Sequence, residues 1–236
     1  MFSRRRGRSI KGMTDISSAS VRVSDVTGDA TARYESTSHS GATWYDLMST
    51  PANGTLSGDG SWFPNFVTGD SNYIAIGNPA KLNFASAHSF VVWAYQNANP
   101  PIQSGEYLIG KDDPGAGRNT GLSMQDNNAL MSGFRFSPFR AVQYTPPIKN
   151  RMFFIVYVNE GTGGDLKIYV DGDLKTTAAG DGLNVTWSAV IPWEIGRRQD
   201  DTDYFTGIID TVRFYSRALS PDEILRDYHA GKPAHP

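Results

Sequence analysis

Carboxylate pairs, histidine clusters, cysteines and loop aromatics are the side chains that most often carry chemistry. This chain of 236 residues offers few of them in working arrangements. It has no cysteine, which excludes a disulfide framework, a thiolate nucleophile and a thiolate metal site. Its five glutamates are Glu35, Glu106, Glu160, Glu194 and Glu223. Retaining glycoside hydrolysis needs two carboxyl groups ~5–5.5 Å apart, and alternate positions of one strand would supply them. None of the glutamates lies in such a pattern, and no catalytic residue is nominated. Asp171 and Asp173, and Asp200, Asp201 and Asp203, are closely spaced but fall in turns. His39, His88, His229 and His235 are too scattered for a metal pair or a triad. Gly110, Gly115 and Gly117 form no phosphate loop, since no helix and no Gly-Lys-Ser/Thr follow.

Two kinds of residue do suggest binding. Trp44, Tyr45, Trp62, Phe63, Trp187 and Tyr204 stand in or beside loops, where aromatic faces serve as stacking platforms for sugars. Trp62, Trp187 and Tyr204 are the ligand-binding candidates. Arg4, Arg5, Arg6, Arg8 and Lys11 crowd a stretch of Ser and Gly with too little apolar surface to fold alone. Residues 1–25 therefore read as a basic arm and 26–236 as the folded domain. Without interleaved aromatics the arm suits an acidic protein better than nucleic acid. The run from Lys111 to Arg118 reads as a polar, solvated loop.

Composition narrows the class further. Formal net charge is −2, so the molecule has no overall field suited to nucleic acid. Charged residues are 19%, below the roughly 25% usual for soluble domains. No apolar run approaches the ~20 residues needed to span a bilayer, so no membrane insertion is expected. The basic start is not followed by an apolar stretch, so no signal peptide is expected either. Glycine at 24, proline at 13 and aromatics at 12% suit many short strands joined by tight turns.

The elements that must position any site follow from the pattern. Ser89–Tyr95, Arg151–Val158 and Ile208–Tyr215 are rich in β-branched and aromatic residues and read as strands. Leu166–Val170 runs into Asp171-Gly172, a hairpin turn, and returns along Leu174–Thr176. Shorter strands are predicted near 73–77, 106–110, 131–136, 141–144 and 191–195. Phe90 to Tyr95 is apolar on both faces, which places it in the middle of a covered sheet. One helix is predicted over Asp222–Ala230. Ser220 caps it, Pro221 opens it, Glu223 completes a capping box and Gly231 stops it. Many strands with one late helix indicate an all-β, two-sheet antiparallel sandwich.

The C-terminal third carries LKIYVDGDLK, then IPWEIGRRQDDTDYFTGIIDTVRFYSRALSPDEILRDYHAG. These segments resemble the laminin-G-like, concanavalin-A-like lectin/glucanase family, a jelly roll also found in phage structural proteins. Upstream, TWYDLMSTPANGTLSG, FVTGDSNYIAIG and SFVVWAYQ are similar to that family's earlier strands. The likeness covers roughly residues 30–231. It implies two face-to-face antiparallel sheets of about six or seven strands each. It also implies a calcium site, because family members hold an ion between the strand of the upstream segment and the "I-D" aspartate. Asp210 matches that aspartate. Thr68 stands where a family aspartate would be and Asn72 where a second acid is usual, while Asp70 can substitute. The implied ligand set is Asp70, Asn72 and Asp210, with calcium as cofactor.

Arm, sandwich and the expected lack of an export signal together suit a non-catalytic surface protein of a bacteriophage virion. Such a protein would be a capsid decoration or cement protein, or a head or tail fibre component, made in the host cytoplasm. The arm would anchor on a capsid or other virion protein or on sister subunits, giving a homo-oligomer, and the jelly roll would face host glycans. The alternative is a free carbohydrate-binding module or adhesin. A sandwich glycosidase would need the carboxylate pair that the sequence lacks.

Overall fold

Alternating apolar residues build two antiparallel sheets whose inner faces pack on each other. The computed structural model describes residues 30, 32–35, 39–40, 42–48, 50–57, 65–66, 72–84, 86–96, 106–113, 117–125, 130–135, 140–145, 150–180, 190–199 and 203–232. The arm at 1–25 lies outside these residues. Strands are numbered in chain order. The seven-stranded sheet holds β1 (Ala32–Glu35), β5 (Asn65–Phe66), β7 (His88–Gln96), β12 (Met152–Asn159), β13 (Leu166–Val170), β14 (Asp173–Ala178) and β16 (Gly207–Tyr215). Its order is β1-β16-β7-β12-β13-β14, with β5 also pairing β16. The nine-stranded sheet holds β2 (His39–Ser40), β3 (Thr43–Trp44), β4 (Gly54–Ser57), β6 (Tyr73–Gly77), β8 (Glu106–Asp113), β9 (Gly117–Gln125), β10 (Leu130–Arg135), β11 (Arg140–Tyr144) and β15 (Trp193–Ile195). Its order is β11-β10-β9-β8-β15-β6-β4-β3-β2. The two-residue strands β2 and β3 extend this sheet beyond the expected six or seven.

The main core lies between the sheets. Phe90, Val92 and Ala94 of β7 meet Ile74, Leu108, Leu122, Trp193 and Ile195 from the opposite sheet. Backbones come so close that Gly133 faces the Tyr157 ring, and a Cβ there would lie 2.2 Å from Cδ2. The other face of β7 is also buried. Val91 and Trp93 join Phe154, Val156, Tyr215, Leu219 and Ile224 in a second core beneath the helix α1 (Pro221–Gly231). This is why β7 reads apolar on both faces. Trp93 stacks on Tyr228 with ring centroids 5.9 Å apart.

The helix begins as its residues require. Glu223 N–H donates to Ser220 Oγ at 3.4 Å, and Ser220 N–H donates back to Glu223 Oε2 at 2.8 Å. The hairpin at Asp171 (φ 54) and Gly172 (φ 85) has the two positive φ angles of a type I′ turn. Asp210, a polar residue within an apolar strand, occupies the register irregularity between Ile209 and Thr211 in the β16–β7 pairing. There it is half-buried and accepts from Thr211 Oγ1 at 2.9 Å.

Polar side chains near both ends of β7 cross between the sheets. At one end Gln96 Nε2 donates to Glu106 Oε2 at 2.9 Å. At the other, His88 Nδ1 donates to Ser86 O (3.0 Å), which leaves Nε2 to accept from Thr120 Oγ1 (3.4 Å).

The expected solvated loop from Lys111 is corrected here. β8 runs through Lys111 and Asp112, both buried, because the ladder with β9 carries on to the Asp113–Gly117 pair. Lys111 points inward, and its one hydrogen-bond partner among the described residues is Asn78 Oδ1. Burial lowers its pKa from 10.5 to about 8. The unfolded chain therefore binds a proton that the folded chain binds less tightly. Lys111 therefore penalises the fold most below about pH 8, and that penalty is relieved as pH climbs from there toward the unfolded value. Lys111→Met is expected to raise stability at pH 7 by roughly 1–3 kcal/mol and to flatten that pH dependence. Urea midpoints of both proteins at neutral and alkaline pH check this; parallel pH curves would refute it.

Candidate functional site

The outer face of the nine-stranded sheet carries a cluster of polar and aromatic residues. Three features of the chain place them. In β15, Trp193 and Ile195 turn into the core, so Glu194 between them faces outward. Its cross-strand partners are Ala75 of β6 and Gly110 of β8, which are small and leave room around the carboxylate. Beyond β15 the chain turns back along β8. Gly196 (φ 89) donates to Leu108 O at 3.2 Å, and Tyr107 N–H donates to Asp203 O at 3.1 Å. Phe205 N–H closes the turn on Gly196 O at 2.8 Å.

The turn delivers two arginines to the sheet. Arg197 grips Glu194 with Nε to Oε2 at 2.6 Å and Nη2 to Oε1 at 2.9 Å. Its third edge donates to the Tyr204 hydroxyl at 3.3 Å, and its plane lies 3.3 Å from the Tyr73 ring centroid. Burial opposes the guanidinium charge, but Glu194 and Tyr204 outweigh it and hold the pKa above its ordinary range. Arg198 forms an ion pair with Asp203 at 2.7 Å and stands 5.9 Å over the Tyr107 ring. Tyr107 in turn donates its hydroxyl to Asp112 Oδ2 at 2.5 Å. Arg197, Glu194, Asp112 and Asp203 are buried, while Tyr73, Tyr204 and Arg198 are half-buried and Thr55 on neighbouring β4 is exposed.

Of the ligand-binding candidates, Tyr204 belongs to this cluster, and Trp62 and Trp187 lie outside the described residues. Of the metal candidates, Asp70 also lies outside. Asn72 is 4% exposed just before β6, and its Oδ1 has no hydrogen-bond partner among the described residues. Asp210 stands in the opposite sheet. Among the described residues no group of three or more His, Asp or Glu side chains is arranged to hold a metal ion. Arg4, Arg5, Arg6, Arg8 and Lys11 lie outside the description. The residues missed from sequence are Tyr73, Asp112, Glu194, Arg197 and Arg198. One signal for them was available, the Glu194/Arg197 spacing of three. No helix among the described residues is long and apolar enough to cross a membrane.

Three solved structures similar to this chain are botulinum neurotoxin binding domains. The botulinum neurotoxin serotype C1 binding domain is 12% identical with a TM-score of 0.61, covering 87% of this chain and 53% of that one. The botulinum neurotoxin DC binding domain in complex with SialylT is 13% identical with a TM-score of 0.60, covering 86% and 51%. The same domain in complex with rat synaptotagmin II is 12% identical with a TM-score of 0.61, covering 87% and 52%. The chain thus spans about half the length of these structures. At such identity the likeness establishes the fold alone. No curated protein matches the chain. The family model for laminin G domains described as the concanavalin A-like lectin/glucanases superfamily matches residues 68–225, and the chain belongs to that family.

Proposed function

We propose that this chain is a non-catalytic recognition domain that binds a saccharide on the outer face of its nine-stranded sheet, around Tyr73, Arg197 and Tyr204. The observation that carries this reading is the rigid setting of Tyr204. Its hydroxyl is held by Arg197, which is itself fixed on both oxygens of Glu194 and on the face of Tyr73. A pre-positioned aromatic beside fixed donors and acceptors suits a polyhydroxylated ring. The same geometry argues against hydrolysis, because a general acid must deliver a proton and both Glu194 oxygens are engaged by a guanidinium. The binding domains among the structural neighbours support recognition as the task.

Calcium belongs to the proposal. The buried Asn72 Oδ1 and the Asp210 carboxylate are oxygen donors of the kind a hard cation takes, with Asp70 as a third. A glycan array followed by calorimetry is the test. Tyr204→Ala is expected to weaken binding about tenfold or more, and EDTA to weaken it as well. A chain that binds no glycan refutes the saccharide reading; binding indifferent to EDTA removes calcium and leaves the rest.

A second reading, carried by the five basic residues at 4–11, places the domain on a bacteriophage particle, with residues 1–25 anchoring it to a capsid protein or to sister subunits. Deleting residues 1–25 is then expected to abolish oligomerisation or capture of a capsid-like partner. Identical monomer masses for both forms in solution would count against an assembly role.

A further inference from the structure

The charges around Tyr204 also select among saccharides. We infer that the outer-face site takes an uncharged saccharide and rejects glycans bearing carboxylate or sulfate groups, an inference that rests on the binding reading above. Recognition of an anionic sugar needs a cation with donors to spare and a positive local potential. The cluster's described cations, Arg197 and Arg198, are each already paired with a buried carboxylate, Glu194 and Asp203, and Asp112 is a third buried carboxylate beside them. Arg197 directs Nε and Nη2 at Glu194 and Nη1 at Tyr204, and its face is covered by Tyr73. An incoming anion could reach that guanidinium only by displacing Glu194, which is 4% exposed and would be left buried without its partner. Arg198 is paired through Nη1 with Asp203, which is 3% exposed, so an anion competing for it would likewise strip a buried carboxylate of a partner. A neutral sugar meets no such conflict. Its hydroxyls can exchange hydrogen bonds with the Tyr204 hydroxyl and with exposed Thr55, and its C–H face can lie on the half-buried Tyr204 ring.

The test uses the full chain against three probes: a neutral glucan oligosaccharide, a sialylated oligosaccharide and a sulfated one. Neutral probes are expected to bind, with affinity changing less than about twofold between about 50 and 500 mM salt. Charged probes are expected to bind about tenfold weaker or not at all. Asp203→Asn is the informative variant, since asparagine tolerates the φ of 56 at this position. It frees Arg198 and is expected to raise affinity for the sialylated probe about tenfold. Glu194→Gln is the second variant and should shift preference the same way through Arg197. Thermal melts confirm that both are folded. Tight, salt-sensitive binding of charged probes with no neutral binding overturns the inference and leaves the saccharide reading standing. A preference unmoved by both folded variants also overturns it. Silence toward all three probes overturns inference and reading together.

Discussion

Asp46→Ala is expected to destabilise the domain by on the order of 3–5 kcal/mol, the cost of removing one partner from a buried charged network. The Asp46 side chain is fully buried and gathers four donors. Arg33 N–H (3.0 Å) and Met48 N–H (3.1 Å) donate to Oδ1, Ala52 N–H (2.9 Å) donates to Oδ2, and Lys81 Nζ also donates to Oδ2. The four come from separate places: β1 of the seven-stranded sheet, the carboxylate's own turn, the approach to β4, and the 3-10 turn Ala80–Leu82 before β7. Tyr34 reinforces the link by donating its hydroxyl to Ala52 O. Alanine would leave three backbone N–H groups without their acceptor, each carrying its own desolvation cost, and would leave the Lys81 ammonium with only Thr50 O to donate to. Asp46→Asn keeps one acceptor oxygen and loses the charge, so its effect should fall between wild type and alanine. With a total stability of roughly 5–15 kcal/mol for a domain, the alanine variant should be partly unfolded at room temperature or close to it. Denaturant midpoints of the three proteins decide the matter. Both variants within about 1 kcal/mol of wild type would mean that water replaces the carboxylate at no cost.

How far the sequence discloses this molecule depends on how local each feature is. Strands and helix are local: β7, β12, β13 and β16 lie where β-branched and aromatic residues cluster, and the Ser220–Glu223 capping box is present with its reciprocal bonds. Asp46 stood in the quoted TWYDLMSTPANGTLSG, yet its role was not legible, because its donors lie as far along the chain as Lys81. Lys111 and Asp112 were misread for the opposite reason. A charged pair beside Pro114 and Gly115 has local loop chemistry, and only the register with β9 turns Lys111 into the interior. The outer-face cluster has the same non-local character. Glu194 and Arg197 are three residues apart, but their meeting depends on Gly196 in a positive-φ conformation and on small neighbours at Ala75 and Gly110. Tyr204 was nominated as a loop aromatic, and the reverse turn through Asp203 brings it to Arg197.

Asp227→Ala is the second change expected to cost about 3–5 kcal/mol, by freeing the helix from the sheet. Arg213 on the outer side of β16 donates Nη1 to both Asp227 oxygens, at 2.6 and 2.8 Å, with the two residues 7% and 3% exposed. This is a charged bond between α1 and the sheet, next to the apolar layer under the helix. Val91 of that layer stands opposite Arg213 in the β16–β7 ladder, and Trp93, Phe154 and Tyr228 pack in the same layer, with Trp93 and Phe154 centroids 5.0 Å apart. Removing the carboxylate leaves a guanidinium buried among aromatics, and the helix is expected to lift so that Arg213 can hydrate. Trp93 would then lose Tyr228 from its face, so its fluorescence should report local opening before global unfolding. The pair itself need contribute little, since two desolvated charges can cancel most of their mutual attraction. The double variant Arg213→Met with Asp227→Leu therefore separates the cost of an orphaned charge from the worth of the bond. It is expected to recover to within about 1–2 kcal/mol of wild type while Asp227→Ala alone does not. Equal losses in single and double variants would show instead that the ion pair stabilises the docked helix outright, and that hydrophobic packing over Val91, Trp93 and Phe154 cannot hold it unaided.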